Sequence, residues 1–318
     1  MDTVLVTGGA GFVGSHLVDR LLQDCEVVVL EKLSRGAAEN LRHQAENPRL
    51  IFETGSILSE EDVKTALKGV STVFHLAAQP DVRLASERPL WDFEINTVAS
   101  LRLLELMRQA DVSKLVFASS GGTVYGNPEL MPTPESAPLR PISIYGAAKA
   151  AFEMYMSSYA RLYGIDSVSL RLANIIGPRL TRGVIYDFYT KLKRNPKRLE
   201  VLGDGTQEKS YVYVSDAIEA IILLAEKSNH GFLPVNIASG ERLRVNRIAE
   251  LMLEELEIDD AKIHYTGGNR GWSGDVRVTD LDTNLLRSFG WKPQVSIEDG
   301  VRLHTRWLSE TYGRVKPT

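Results

Sequence analysis

The stretch Val4-Leu5-Val6-Thr7-Gly8-Gly9-Ala10-Gly11-Phe12-Val13-Gly14 decides the fold. Its three leading apolar residues read as a buried strand, and the run from Phe12 to Leu22 has the spacing of an amphipathic helix. Glycines at 8, 11 and 14 between them permit a tight turn, close approach of backbone N–H groups to a pyrophosphate, and close helix-to-strand packing. The helix N-terminus favours negative charge at that place. The next apolar run, Val27 to Leu30, is followed by Glu31. Its carboxylate can accept hydrogen bonds from both adenosine ribose hydroxyls and would repel a 2′-phosphate. A glycine triplet alone is an ordinary loop. Set after a strand, before a helix and ahead of such an acid, it predicts a dinucleotide site that takes NAD in preference to NADP. Lys32 and Arg35 read as solvated loop charges.

Further apolar runs at Leu50 to Phe52, Thr72 to Leu76, Leu115 to Ala118 and Ser167 to Leu172 alternate with helical stretches, notably Trp91 to Ala110 and Tyr145 to Tyr163. That alternation predicts an α/β fold, a Rossmann-type doubly wound parallel sheet covered by helices on both faces. After Leu172 the rhythm is irregular, and glycine loops recur at 177, 203–205 and 267–268. The helix Ser215 to Lys227 and the strand Val235 to Ala238 keep the α/β pattern. Residues 1–172 are therefore expected to form the NAD-binding domain, with 211–238 returning to it, and 173–318 a smaller, irregular substrate-binding region.

With 318 residues, 43% of them apolar and 25% charged, the chain has the composition of an ordinary globular protein rather than a disordered or fibrous one. Its 37 Lys and Arg against 41 Asp and Glu leave a net charge of −4, which argues against broad nucleic-acid binding. The single cysteine, Cys25, excludes an internal disulfide and a Cys-rich zinc site, and the six histidines show no metal-ligand spacing. No metal is expected. No apolar run approaches the roughly 18 to 20 residues that span a bilayer, and a strand beginning by Thr3 leaves no room for a secretory segment. These features predict a cytoplasmic protein without a membrane partner.

Tyr145 and Lys149 stand four apart at the start of a predicted helix, so they share one face. A phenol with a pKa near ~10 is a poor base at neutral pH. Lowering it by about three pH units takes roughly 4 kcal/mol, which a nearby ammonium and a cationic nicotinamide ring can supply. An isolated Tyr-x-x-x-Lys is weak; joined to the glycine turn it points to proton transfer beside a dinucleotide.

These motifs, with His75-Leu76-Ala77-Ala78, Asn96, Ser119 to Gly126, Asn174 to Arg179 and Gly203 to Val214, make nearly the whole chain resemble the extended short-chain dehydrogenases/reductases. Within that family it is most similar to the nucleotide-sugar epimerases and dehydratases of the UDP-glucose 4-epimerase type. The resemblance implies that Tyr145 is the general acid/base, that Lys149 holds the nicotinamide ribose, and that a hydroxyl from Ser120 or Thr123 orients the sugar. It implies an NAD site formed by Gly8, Gly11, Phe12, Val13, Gly14, Glu31, Ser56, Ile57, Leu76, Ala77, Ala78, Asn96 and Ser119 together with Tyr145 and Lys149. Asn174, Lys209, Tyr211, Arg270 and Asp275 would face the nucleotide of a UDP-sugar substrate. The helices carrying Tyr145 and the packing residues Trp91, Phe93, Leu101, Leu104 and Met107 form a homodimer seam in such proteins, so a homodimer is expected.

The chain departs from the family pattern at four places. Gly121 replaces the expected serine or threonine, so Ser120, Thr123 or a water must supply the hydroxyl. Lys209-Ser210 replaces Arg-Asp, keeping a cation but losing the bidentate fork. Ser56 stands where an acid would reach the adenine. Trp272 stands where an arginine is expected, with Arg270 two residues earlier.

The resemblance favours an NAD-dependent nucleotide-sugar 4-epimerase, working by Tyr-assisted hydride transfer to and from tightly bound NAD through a 4-keto intermediate. A 4,6-dehydratase needs an Asp-Glu pair where this chain has Gly122 and Thr123. A reductase prefers NADPH, against which Glu31 argues. A UDP-glucuronate 4-epimerase tends to carry a threonine where Asn174 stands, although Arg179 and Arg182 could meet a carboxylate. A non-catalytic NAD-binding regulatory protein would have no need of Tyr145 and Lys149. Thr279 falls near the position that admits or excludes an N-acetyl group, and its small size favours tolerance.

Overall fold

The structure, a computed structural model, describes residues 2–32, 37–227, 231–268 and 276–315. Arg35, His230, Arg270, Trp272 and Asp275 lie outside the described residues. The strands are β1 Thr3–Thr7, β2 Glu26–Glu31, β3 Leu50–Thr54, β4 Val70–His75, β5 Lys114–Ser120, β6 Asp166–Leu172, β7 Asn174–Ile176, β8 Arg198–Val201, β9 Glu208–Tyr213, β10 Phe232–Ile237, β11 Arg242–Arg244 and β12 Lys262–Tyr265. The helices are α1 Phe12–Leu21, α2 Ala37–Asn40, α3 Glu60–Ala66, α4 Val82–Glu87, α5 Pro89–Phe93, α6 Ala99–Gln109, α7 Gly121–Val124, α8 Ile144–Tyr163, α9 Gly183–Arg194, α10 Val214–Lys227, α11 Val245–Glu255, α12 Asn284–Ser288 and α13 Ile297–Tyr312.

The chain divides into two compact units, the first of Met1–Pro128, Glu135–Leu172 and Ile218–Asn236, the second of Glu129–Pro134, Ala173–Ala217 and Ile237–Thr318. In the first, a seven-stranded parallel sheet runs in the order β10-β6-β5-β4-β1-β2-β3. The order reverses at β1, whose neighbours are β2 on one side and β4 on the other, with Thr7 level with both Leu30 and His75. Such a reversal opens a crevice beyond the carboxyl ends of the strands, where ligands of doubly wound sheets bind. The glycine turn follows β1 directly at that point. The strands are nearly continuous apolar runs because both faces are covered. Leu5, Val28 and Val73 pack with Leu103, Leu104 and Met107 of α6 and with Phe152 and Met156 of α8 in one core.

The helix read from Trp91 to Ala110 is one rod in three parts: α5, a π-helical turn over Glu94–Val98, and α6. A π turn widens the spiral by one residue and commonly marks a functional site. Asn96 sits on it. Of the residues read as packing positions on this rod, Leu104 and Met107 are fully buried, whereas Phe93 is 50% exposed.

The second unit has a three-stranded sheet, β11-β9-β7, and a parallel pair, β12-β8. Its separate core joins Ile185, Phe188 and Leu192 of α9, Ile248 and Met252 of α11, and Val301 and Leu308 of α13. The return of the chain to the first unit is shorter than 211–238. Tyr211 packs in the second core, and β9 pairs with β7, so the return runs over Ile218–Asn236. Residues 129–134, within the span 1–172, go the other way, because Thr133 exchanges backbone hydrogen bonds with Asp280 and Asp282. Among the described residues, no helix is long and apolar enough to cross a membrane.

Candidate active site

The glycine turn is built by exclusion of side chains. Gly8 has φ +71, and a Cβ there would stand 2.7 Å from the backbone nitrogen of Ala77. A Cβ on Gly14 would stand 2.8 Å from the Cα of Gly9 and closer still to the carbonyl oxygen of Gly8. The Gly8 N–H donates to the Leu30 carbonyl and the Gly11 N–H to the Gly8 carbonyl, each at 3.0 Å, closing the turn against β2. Gly11 precedes α1 with no side-chain cap, and the first turn of α1 holds no acid. The positive end of the helix is therefore not neutralised by a cap or an acid of its own, and Phe12 and Val13 stand on its first turn. Leu76 and Ala77 are held alongside, since Thr7 takes the Leu76 N–H on its carbonyl and the Ala77 N–H on its hydroxyl. Glu31 ends β2, half-buried. Ser56 gives its N–H to Asp62 at 2.8 Å and takes that of Leu58 at 3.2 Å, so its hydroxyl orders its own loop. Ile57 is buried in the core.

His75 is fully buried, and burial pulls its imidazole down to about 3. Its Nε2 is 2.9 Å from the Ser100 hydroxyl, which itself donates to the Asn96 carbonyl, so Nε2 carries the hydrogen and Nδ1 accepts from Thr7 at 2.7 Å. This neutral relay ties the end of β1 to the π turn. The Asn96 side chain is wholly occupied: Oδ1 takes the Gln79 N–H, and Nδ2 donates to the Gln79 carbonyl and to Asp92 Oδ1. Asn96, expected to line the cofactor site, holds the segment after Ala78 in place through these bonds. Asp92, absent from the sequence reading, is 0% exposed, and burial raises its carboxyl. Its spacing of four residues before Asn96 was the available signal.

Tyr145 and Lys149 lie on the first turns of α8, which Ser143 caps by accepting the Gly146 N–H. Lys149 Nζ donates to the Ala118 carbonyl at 2.8 Å and stands 4.5 Å from the Phe117 ring centre and 5.7 Å from that of Tyr145. Burial brings its ammonium down to about 7, against the opposing pull of the Asp92 and Glu153 carboxylates. A Cβ on Gly146 would be 2.7 Å from the Thr123 carbonyl oxygen, so only glycine lets α8 approach the segment after β5 this closely. On that segment Thr123 donates to the Ser120 carbonyl at a long 3.5 Å. Ser119, expected at the cofactor, donates its hydroxyl to Glu153 at 2.5 Å. That leaves Ser120 and Thr123 as the hydroxyls adjoining Gly121. A Cβ on Gly122 would meet nothing within 4 Å.

Glu153 and Arg171 are a buried ion pair that the sequence reading missed, closed by Arg171 Nη2 to Glu153 Oε2 at 2.7 Å. Two signals were present. Glu153 continues the Tyr145, Lys149 stripe at the same four-residue step, and Arg171 is a charge between two leucines near the end of β6.

In the second unit, Asn174 is level with Tyr211 across β7 and β9, and Lys209 lies two residues before Tyr211 on the same strand face. The structure brings these three together. Tyr211 is 3% exposed and belongs to the core. Thr279 is also buried; its hydroxyl accepts the Ser210 N–H at 3.0 Å. Among the described residues, no cluster of three or more His, Cys, Asp or Glu side chains could hold a metal.

The reversed strand order and the uncapped helix after a glycine turn define a dinucleotide-binding α/β enzyme of the doubly wound class. The family model for the NAD dependent epimerase/dehydratase family matches residues 4–238, and the chain belongs to that family. The UDP-glucose 4-epimerase of Mycolicibacterium smegmatis is 36% identical over 93% of this chain and 95% of its own. The crystal structure of UDP-glucose 4-epimerase with UDP-glucose from Thermotoga maritima has a TM-score of 0.89 and 36% identity, over 98% of this chain and 99% of that one. That of the Thermus thermophilus UDP-glucose 4-epimerase with NAD has a TM-score of 0.86 and 36% identity, over 97% and 99%. NAD is the cofactor. The cradle that a Cβ at Gly8 or Gly14 would fill, the uncapped start of α1, and the acid at the end of β2 fit it.

Proposed function

We propose that the protein is a nucleotide-sugar 4-epimerase of the UDP-glucose/UDP-galactose type. The observation that carries this reading is the Tyr145/Lys149 face of α8, held against the hydroxyl-bearing segment after β5 in the unit that bears the glycine turn. NAD, when bound, supplies a reversible hydride acceptor. Gly8, Gly11 and Gly14 let the backbone reach its phosphates, Glu31 takes its adenosine ribose, and Lys149 takes the nicotinamide ribose. Tyr145, as phenolate, removes the proton from the sugar 4-hydroxyl and later returns it. The ammonium of Lys149, fixed on the Ala118 carbonyl, favours that phenolate. Thr123 or Ser120 orients the 4-oxygen.

Both faces of the sugar at C4 must be presented to the same tyrosine, so the protein must hold the nucleotide and leave the hexose free to turn. Asn174 and Lys209 serve the nucleotide, with Tyr211 supporting them from the core; Arg270 and Asp275 are assigned to the same task from the sequence. No carboxylate stands at Gly122 or Thr123 to take a C5 proton, which disfavours a dehydratase. Thr279 is small, and its hydroxyl is held by the Ser210 N–H, in keeping with tolerance of an N-acetyl group. We assign the enzyme to the cytoplasm, as a homodimer whose seam is the exposed apolar row Leu90, Phe93, Met154, Tyr155, Leu162 and Tyr163 on α5 and α8.

The test is kcat/KM for the UDP-linked hexose, N-acetylhexosamine and glucuronate pairs, since discrimination resides in that ratio. The hexose pair is expected to lead, the N-acetyl pair to follow, and the glucuronate pair to be turned over poorly. A preference for glucuronate would overturn the substrate assignment.

A further inference from the structure

The segment Ser120–Val124, which carries the two candidate hydroxyls, is tied at both ends to one buried ion pair. At its start, Ser119 Oγ donates to Glu153 Oε1 at 2.5 Å. At its end, the Tyr125 hydroxyl accepts from Arg171 Nη1 at 2.9 Å and donates to Asn236 Oδ1 at 2.7 Å. Arg171 closes the circuit by giving Nε and Nη2 to Glu153 Oε2 at 3.1 and 2.7 Å, and Nη1 also to the Glu135 carbonyl at 2.8 Å. The Glu135 carboxylate in turn takes the Asn236 N–H at 2.9 Å. Glu153 and Asn236 are 0% exposed, Tyr125 2%, Ser119 and Arg171 3%.

The register explains why the pair sits there. Ser119 and Arg171 are level on the adjacent strands β5 and β6, and Glu153 lies two helical turns along α8 from Tyr145. The helix that carries the proposed acid/base therefore also carries the anchor for the opposing hydroxyls. A buried ion pair is a poor stabiliser in itself, because desolvation offsets the attraction. Its value lies in fixing geometry: a carboxylate and a guanidinium that bond each other and Ser119, Tyr125 and Glu135 favour one arrangement of those three neighbours.

We propose that Glu153 and Arg171 are positioning residues, a clamp that sets the distance from the Ser120–Val124 segment to Tyr145 and thereby aligns the reacting hydroxyl. The proposal rests on the 4-epimerase reading. It does not place either residue in contact with substrate.

Cutting the tethers while keeping the ion pair tests it. Ser119→Ala removes one tie and Tyr125→Phe the other, and neither leaves a buried charge unpaired. Each variant is expected to lower kcat on UDP-galactose about 10-fold, through lost alignment, with KM for the sugar nucleotide and the NAD content of the purified protein unchanged. Amide hydrogen exchange, read without substrate, is expected to quicken within residues 119–125 and not on α8. Wild-type kcat in both variants, or a loss expressed only as a raised KM, would overturn the clamp. So would exchange that is unchanged in the segment or faster throughout the unit. If the wild-type enzyme fails to turn over UDP-hexoses, the functional reading falls, and the exchange comparison alone decides the clamp by the same outcomes.

Discussion

Gly14 admits no side chain, because a Cβ there would overlap the backbone of Gly8 and Gly9. Gly14→Ala is therefore expected to be purified with at least about tenfold less NAD than wild type, as the turn opens away from the pyrophosphate. Nucleotide released on denaturation measures this, and a full complement in the variant would contradict it. Tyr145 is the opposite case, a residue replaceable in shape but not in chemistry. Tyr145→Phe is expected to keep NAD and fold and to lower kcat by about 100- to 10,000-fold, the usual contribution of a general acid/base. Near-wild-type turnover would assign the proton transfer elsewhere. Of the hydroxyls near Gly121, Ser119 is engaged by Glu153, so Thr123→Val and Ser120→Ala divide the remaining possibilities. Loss of about 10- to 100-fold in one of them identifies the orienting group.

Helix α8 does more than present a tyrosine. Its first turn abuts the Thr123 carbonyl at Gly146, its second reaches Ala118 through Lys149, and its third reaches Ser119 through Glu153. Gly146→Ala would place a methyl 2.7 Å from that carbonyl oxygen. It is expected to push the helix start from the segment and lower kcat about 10-fold, with little change in NAD content; unchanged kcat would show that the contact is dispensable. At this scale much was legible beforehand. The strands of the seven-stranded sheet announced themselves as apolar runs, those of the second unit did not, and the glycine turn and the Tyr145/Lys149 step were visible because each depends on neighbours in sequence. The π turn was not visible, since a helix with one extra residue keeps much the same apolar pattern. The tie from Asn96 to Gln79 was not visible either, because Gln79 reaches it through the fold; only Asp92, four residues before Asn96, left a signal in the sequence. The Glu153–Arg171 pair left a trace on each element, but their meeting depends on the register of β5 and β6.

Among the described residues two histidines are fully buried and neutral, one in each unit. Burial takes His75 down to about 3 and His304 down to about 4. In the unfolded chain both titrate near ~6.5. Between that pH and about 4 the unfolded state binds up to two more protons, so stability must fall with acidification, by at most about 2.7 kcal/mol per pH unit from this pair. His304 donates Nε2–H to the Leu180 carbonyl at 2.9 Å, a bond that Gln can imitate without titrating. His304→Gln is expected to flatten the fall of Tm between pH 6.5 and 4 by one proton's share; an unchanged slope would show that His304 is not held neutral. The exposed apolar row on α5 and α8, proposed as a homodimer seam, gives a second test: Leu162→Glu, at a residue 69% exposed, is expected to sediment as a monomer where the wild type sediments as a dimer. The most direct measurement is to incubate the purified protein with UDP-galactose, adding no NAD, and follow the configuration at C4. The expected result is conversion to an equilibrium mixture with UDP-glucose, at a rate unaffected by added NAD and at least about 100-fold slower in Tyr145→Phe. No change at C4 from a protein that carries its full complement of NAD would contradict the proposed reaction.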